Sequence, residues 1–300
     1  MPDLGPPSVD IDACTGCGVC VTACASMVLA LSPAAHGAKK GRVRLERPDW
    51  CNACGHCEAV CAFDAIRAPL PVPAGTPVPP KGSSVDPASL GMLLRERRSV
   101  RAYRSAPVPR ELIERVVDVA RHTPTGTNSQ NVHWLVLGER EQVRELQQRC
   151  VRFYERLFKL VDNPVGRLGV RMMAGPQQRA QLEEYLPVVQ EANRRMAQGD
   201  DRLLYDAPAV VLVHAEAWDS CSAFNCDTAL FSASLMAHSL GLGCCFNGFV
   251  QQAVENSRPL KRWLGIPRDH RCFMAMGVGW PATRYRKLCE RQPAPLRWLD

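Results

Sequence analysis

From residue 89 onward the chain alternates long helical periodicities with short apolar runs. In PRELIERVVDVARHT (109–123), Leu112, Ile113, Val116, Val117 and Ala120 recur at three- and four-residue steps, which predicts an amphipathic helix with one buried face. VHWLVLGE (132–139), PAVVLVHAE (208–216) and RCFMAMGVGWP (271–281) are short and β-rich, and predict strands. CDTALFSASLMAHSLGLG (226–243) is apolar nearly all round, which predicts a buried helix that stops at Gly241 and Gly243. Residues 139–204 are mostly charged with helical spacing.

The first 68 residues follow no such period, because cysteines set their pattern. CTGCGVCVTAC (14–24) and CNACGHCEAVC (51–61) share one spacing, Cys-x2-Cys-x2-Cys-x3-Cys, and no other internal repeat is present. Between this segment and the helical region lies RAPLPVPAGTPVPPKGSSVDP, where prolines crowd out any period. It reads as a stiff, extended tether. Three parts follow: residues 1–68, a Pro-rich linker at 69–88, and a larger domain at 89–300.

Soft thiolates suit tetrahedral iron, and a compact turn supplies three of them while a fourth must come from elsewhere. In this spacing the first three cysteines serve one [4Fe–4S] cube and the fourth serves its neighbour. Cys14, Cys17, Cys20 and Cys61 are thus expected to hold one cluster. Cys51, Cys54, Cys57 and Cys24 are expected to hold the other. Gly16, Gly18, Ala53 and Gly55 let the backbone wrap closely between ligands. Structural zinc is the alternative, but it favours Cys pairs divided by a longer spacer. This half resembles the bacterial two-cluster ferredoxins, except that Ala25 and Ala62 stand where Pro follows the fourth cysteine in that motif.

Four stretches of the larger domain carry chemistry when taken together. RERRSVRAYR (95–104) sets Arg97, Arg98 and Arg101 around Ser99 at a predicted helix end, a set of donors for phosphate oxygens. HTPTGTNSQNVHW (122–134) is a small-residue loop in which Asn128 and Gln130 offer amides. GLGCCFNGF (241–249) lets backbone approach a flat ring, but it follows a helix and has the wrong glycine spacing for a dinucleotide fingerprint. GVGWPATRYRKLCER (277–291) is a strand running into a basic cluster. Each alone reads as a solvated face or an ordinary loop.

As a set, in this order, they resemble the FMN-dependent nitroreductase family from about residue 89 to the C-terminus. The whole chain then resembles a ferredoxin-fused nitroreductase. That resemblance implies an α+β fold, a mixed and mainly antiparallel sheet flanked by helices, behind a small ferredoxin-like iron–sulfur domain. It implies a homodimer with FMN at the interface. Arg97, Arg98, Ser99 and Arg101 would hold the phosphate and ribityl chain, with Asn128 and Gln130 beside the ring. The backbone around Cys245, Phe246, Asn247 and Gly248 would face the flavin. Lys287 and Arg291 would complete the phosphate site, with Arg284 and Arg286 competing for that role. Asn131 stands where many relatives have Pro. Tyr154, Phe158, Tyr185, Met172 and Met173 fall in the segment that relatives use as a lid, though an ordinary helix face is the simpler reading of each.

Composition changes this picture little. A hydrophobic share of 46% and a charged share of 22% describe an ordinary globular chain, with no apolar run long enough to span a membrane. The opening MPDLGPPSVD lacks the basic start and apolar segment of a secretory signal, so the expected compartment is the cytoplasm, where cysteines stay reduced. The formal charge is +7, yet residues 1–68 hold six Lys/Arg against seven Asp/Glu. Two clusters with their thiolates would contribute about −4, and a flavin phosphate about −2. The excess base is thus largely met by ligands, and no interleaved aromatic and basic tract supports nucleic-acid binding.

Cys150, Cys221, Cys226, Cys244, Cys245, Cys272 and Cys289 lie outside the runs and read as small buried hydrophobes. His133, His214 and His238 read as core residues rather than catalysts. The expected function is an oxidoreductase, probed by donor and acceptor screening. It would draw low-potential electrons from a partner such as ferredoxin and reduce a flat conjugated acceptor: a nitroaromatic, quinone, activated alkene or aryl halide. The reverse direction uses the same parts. The other class is a non-catalytic electron-transfer or redox-sensing iron–sulfur flavoprotein.

Overall fold

The computed structural model describes residues 5–34, 41–70, 85–163 and 176–299. The chain divides into two compact units, one of residues to Ser84 together with Thr125–Ser129, the other of Val85–Pro124 with Gln130–Asp300. Most of the Pro-rich stretch, 71–84, lies outside the described residues, as do Met172 and Met173 and the side chain of Tyr185.

The first unit is built on two short antiparallel pairs. Strands β1 (Ser8–Val9) and β4 (Ile66–Arg67) bring the two ends of the unit together, while β2 (Leu29–Leu31) pairs with β3 (Val43–Leu45). Two helical turns, α1 (Val19–Ala23) and α2 (His56–Ala59), each lie within a cysteine run and carry its third cysteine, Cys20 or Cys57. Cys14 and Cys20 are buried with Val28, Leu29, Val43, Ala65 and Ile66, and Cys24, Cys51, Cys57 and Cys61 pack against them. Thiols therefore occupy the place that aliphatic side chains fill in an ordinary small core.

The second unit is a four-stranded antiparallel sheet in the order β5-β6-β8-β7, comprising β5 (His133–Leu137), β6 (Ala209–Glu216), β7 (Gly243–Phe246) and β8 (His270–Gly279). Its helices are α3 (Pro87–Glu96), α4 (Arg110–Ala120), α5 (Arg140–Asp162), α6 (Pro176–Ala197), α7 (Ser222–Ser239), α8 (Gly248–Asn256) and α9 (Arg258–Trp263). Strand β6 is buried on both faces, and its alternation splits the core. Val210 and Leu212 join Leu146, Cys150, Val254 and Leu260 on one side. Ala209, Val211, Val213 and Ala215 join Ile113, Val116, Cys226, Leu230 and Ala233 on the other. Helices thus cover both faces. Three strands were expected from pattern, and β7 is the fourth.

Helix α7 ends as its glycines predict. Gly241 has φ +80°, its N–H bonds the His238 carbonyl at 3.0 Å, and the Leu242 N–H reaches Ala237 at 2.9 Å. This is the paired closure that a left-handed residue permits after a helix. The expectation of burial all round holds on one side only. Ser222, Asn225, Cys226, Ala229, Leu230, Ala233, Ser234 and Ala237 are buried, whereas Phe224 and Phe231 are exposed. Among the described residues no helix is long and apolar enough to cross a membrane.

Candidate functional site

The two cysteine runs fold as copies of one another, 37 positions apart along the chain. Left-handed backbone recurs at matched places: Gly16 and Ala53, Gly18 and Gly55, Met27 and Asp64. Each fourth cysteine accepts a backbone hydrogen bond from the residue four ahead, Val28 N to Cys24 Sγ and Ala65 N to Cys61 Sγ, both at 3.3 Å. Such N–H donors stabilise thiolate charge and tune a bound cluster.

The structure brings Cys14, Cys17, Cys20 and Cys61 around one cavity, closed by Val9, Val43, Phe63 and Ile66. Burial pushes the Cys20 thiol up, and Cys17 and Cys61 push it further. Cys57 is pushed up to about 11, first by burial and then by Cys54, Cys24 and Cys51. The thiols therefore gather as two crossed sets of four. Packed thiolates repel one another, and a cationic core that neutralises them suits the arrangement. The donor sets fit two [4Fe–4S] clusters.

In the second unit a cleft of about 1070 Å³ opens beside β7, lined by Arg95, Arg98, Arg104, Arg284, Arg286 and Lys287. Six cations around one concavity call for an anionic ligand. Gly243 lies in the wall of this cleft, and a Cβ there would stand 2.6 Å from Val100 Cγ2. The absent side chain lets the 95–104 stretch dock on β7, which gives that glycine a packing role. Docking is fixed by the Val100 N–H to Cys244 carbonyl bond at 3.0 Å and a bridge between Ser99 and Cys244. The Tyr285 hydroxyl donates to the Ser99 carbonyl at 3.2 Å, tying the basic tail to the same place.

Arg97 and Arg101 face the paired cysteines. Burial pushes the Cys245 thiol up, opposed by Arg101, which hydrogen-bonds it, and by Arg97. Burial pushes Cys244 up to about 12, against Arg97. The Nη1 of Arg97 is buried without a hydrogen-bond partner. A guanidinium nitrogen in that state is costly, and an anionic oxygen would relieve it. The arginines and the orphaned nitrogen fit a phosphate-bearing cofactor.

The remaining expected residues are placed as follows. Asn128 lies in the segment that groups with the first unit, where its amide donates to the carbonyls of Asn52 at 2.9 Å and Ala53 at 3.2 Å. Thr127, Asn128 and Gln130 all have positive φ, a run of strained backbone that loop composition alone does not announce. Asn247 caps α8, accepting from Val250 N at 2.9 Å, and its Nδ2 donates to the Leu203 carbonyl. Its side chain is therefore structural. Gly248 starts α8 with open space at its Cβ position, and Phe246 is half-buried at the end of β7. Lys287 and the two competing arginines line the cleft, and Arg291 is exposed and outside that lining.

The remaining cysteines and histidines divide between core and surface. Cys150, Cys226 and Cys272 are buried, each pushed up to about 12 by burial, as inert core thiols should be. Cys289 is exposed and Cys221 half-exposed, because both sit in polar segments outside the core. His214 is a core residue, pushed down to about 4 by burial and then by His133 and His270. His133 is exposed at the start of β5 and His238 lines the cleft, so neither is a simple core histidine. Tyr103, whose hydroxyl donates to the Gly277 carbonyl at 3.3 Å, Tyr285 and Asn131 organise the fold without a signal in the sequence. Asn131 donates to Glu216, Asp219 and Ser222 and accepts from Asn225 at 2.9 Å, a hub that a polar loop residue does not reveal in advance.

The family model described as "Nitroreductase family" matches residues 94–280, and that for "4Fe-4S dicluster domain" matches 13–65. A Methanothermobacter thermautotrophicus protein provisionally named NADH dehydrogenase/NAD(P)H nitroreductase is 23% identical over 193 residues, 63% of this chain and 75% of its own length. A Bacteroides fragilis nitroreductase solved with bound FMN superposes with TM-score 0.51 at 18% identity, over 70% of this chain and 98% of that one. A second FMN-bound nitroreductase, from Desulfitobacterium hafniense, gives TM-score 0.51 at 16% identity, over 70% and 97%. These likenesses show the fold of the second unit.

Proposed function

Because this chain belongs to the nitroreductase family and carries a 4Fe-4S dicluster domain ahead of it, we propose that it is an FMN oxidoreductase fed by low-potential electrons from a protein donor. It reduces a small, flat, conjugated acceptor of the nitroaromatic, quinone, activated alkene or aryl halide class. The observation that carries this reading is the pair of crossed four-thiol sets joined in one chain to a nitroreductase domain with a cationic cleft. Bound clusters pass electrons singly, and bound FMN stores two and delivers them as hydride.

The protein's own residues supply binding and orientation. Arg97, Arg98, Ser99 and Arg101 hold the flavin phosphate and ribityl chain, with Lys287, Arg284 and Arg286 adding charge from the tail. Gln130 and the backbone from Cys245 to Gly248 position the ring. No nucleophilic side chain is required. Homodimerisation is part of the proposal, because α3 buries none of its residues and leaves Leu90, Met92 and Leu94 exposed.

The test starts with iron, sulfide and flavin per chain after anaerobic reconstitution. The reading expects about eight iron, eight sulfide and one FMN. Reduced ferredoxin and NAD(P)H are then compared as donors, with reoxidation followed anaerobically on each acceptor class. The named relative supports NAD(P)H as the second reading of the donor. Reoxidation by none of the acceptors would reduce the protein to an electron relay or sensor.

A further inference from the structure

At one end of the second unit's sheet, three strands place titratable side chains on a common face. His133 of β5 stands opposite His214 of β6, and Glu216 of β6 stands opposite His270 of β8. His214 and Glu216 are two residues apart on one strand, so they share a face. A register shift between Val213 and His214 re-aims this end of β6. His133, Glu216 and His270 each offer a ligand atom, all within 4.8 Å of one another. None of the three lines the basic cleft or belongs to the cysteine sets.

We propose that His133, Glu216 and His270 form a binding site for a divalent transition-metal ion of the zinc class. Two imidazoles and one carboxylate are a known zinc donor set that leaves a fourth position open. Imidazole nitrogen also selects such ions over magnesium or calcium.

The surroundings are those of a ligand site. His270 is buried, Glu216 is half-buried and His133 is exposed, so the site is anchored inside and reached from solvent. His214 Nδ1 meets His270 Nδ1 at 3.0 Å, a bond that requires one donor and one acceptor. An imidazole held at one nitrogen presents the other in a fixed direction. Asn131 Nδ2 donates to Glu216 Oε2 at 3.1 Å, which orients the carboxylate. The Lys261 ammonium donates to the His270 carbonyl at 2.8 Å and pairs with Glu255 at 3.2 Å. Tetrahedral ligand atoms lie roughly 3.3 Å apart at zinc bond lengths. With ligand atoms within 4.8 Å, no pair needs to close by more than about 1.5 Å, and the exposed His133 side chain is the freest of the three to move.

The test uses the full chain with its clusters and flavin reconstituted. It is equilibrated with Zn²⁺ under anaerobic conditions, dialysed to remove loosely held metal, and analysed for zinc and iron together. The expected result is about one zinc per chain beyond the unchanged iron content, with X-ray absorption at the zinc edge showing nitrogen and oxygen neighbours only. His133→Ala and Glu216→Gln should each weaken zinc binding at least tenfold without changing iron content or circular dichroism. His133 is exposed, so its removal opens no buried cavity, and unchanged circular dichroism checks that the fold tolerates the loss of its ring contacts with His214 and His270. The proposal fails if the wild type retains no zinc, if both variants retain it equally, or if sulfur appears in the zinc shell.

Discussion

Arg97 concentrates the argument at the residue scale. A buried guanidinium nitrogen without a partner destabilises the ligand-free protein, yet the same nitrogen is poised for an anion. Arg97→Met should therefore leave the melting temperature of the flavin-free protein unchanged or raised. FMN affinity should fall by roughly ten- to hundredfold, as expected for a lost charged hydrogen bond of about 1.5–3 kcal/mol. Calorimetry and flavin titration on the same preparation check both halves, and a stable variant with undiminished affinity would remove Arg97 from the site. Sequence made this residue visible, because three arginines around one serine are an unusual density of phosphate donors. It did not separate Arg97 and Arg101, which face Cys245, from Arg98, which lines the cleft. Nor did it show that the Asn247 side chain is consumed as a helix cap or that Asn131 joins Glu216, Asp219, Ser222 and Asn225. Those roles depend on neighbours distant in the chain.

At the scale of elements, the cysteine segment was legible through spacing and not through periodicity. Helices α1 and α2 are five and four residues long, too short for any hydrophobic stripe. The ligand interval fixes the turn instead, and the second run repeats it down to its left-handed positions. One mismatch is informative. The first run has Gly16 where the second has Ala53, which adopts φ 51° at a conformation L-residues resist by about 1–2 kcal/mol. Ala53→Gly should slow iron loss to a chelator by a few-fold. Gly55→Ala should hasten it, since Gly55 sits at φ +76° and an added Cβ would lie 3.2 Å from Leu70 Cδ1. Equal rates in all three proteins would mean that backbone strain does not govern cluster retention. In the larger domain, long periodic helices and the apolar runs of β6 and β8 were readable. Strand β7 was not, because only four residues form it and two glycines frame its approach.

On the scale of the whole molecule, the unresolved demand is apolar surface. Helix α7 turns one side to the core, but Phe224 and Phe231, two helical turns apart, remain 58% and 44% exposed. The sequence is apolar nearly all round and predicts a buried helix, and a second copy of the chain is what would cover the exposed side. Helix α3 makes the same demand with Leu90, Met92 and Leu94. Large aromatic side chains left in water forgo about 1.5–3 kcal/mol each, enough for a few of them to decide an association. A dimer built on these helices should therefore be sensitive to charge placed at α7. Phe231→Glu should shift light scattering from a dimer toward a monomer, with little loss of helical content, because the side chain does not belong to the monomer core. If FMN is held where two copies meet, flavin retention should fall in parallel with the dimer fraction. A wild-type monomer would withdraw the interface, and a monomeric variant that still retains flavin would confine FMN binding to the residues of one chain.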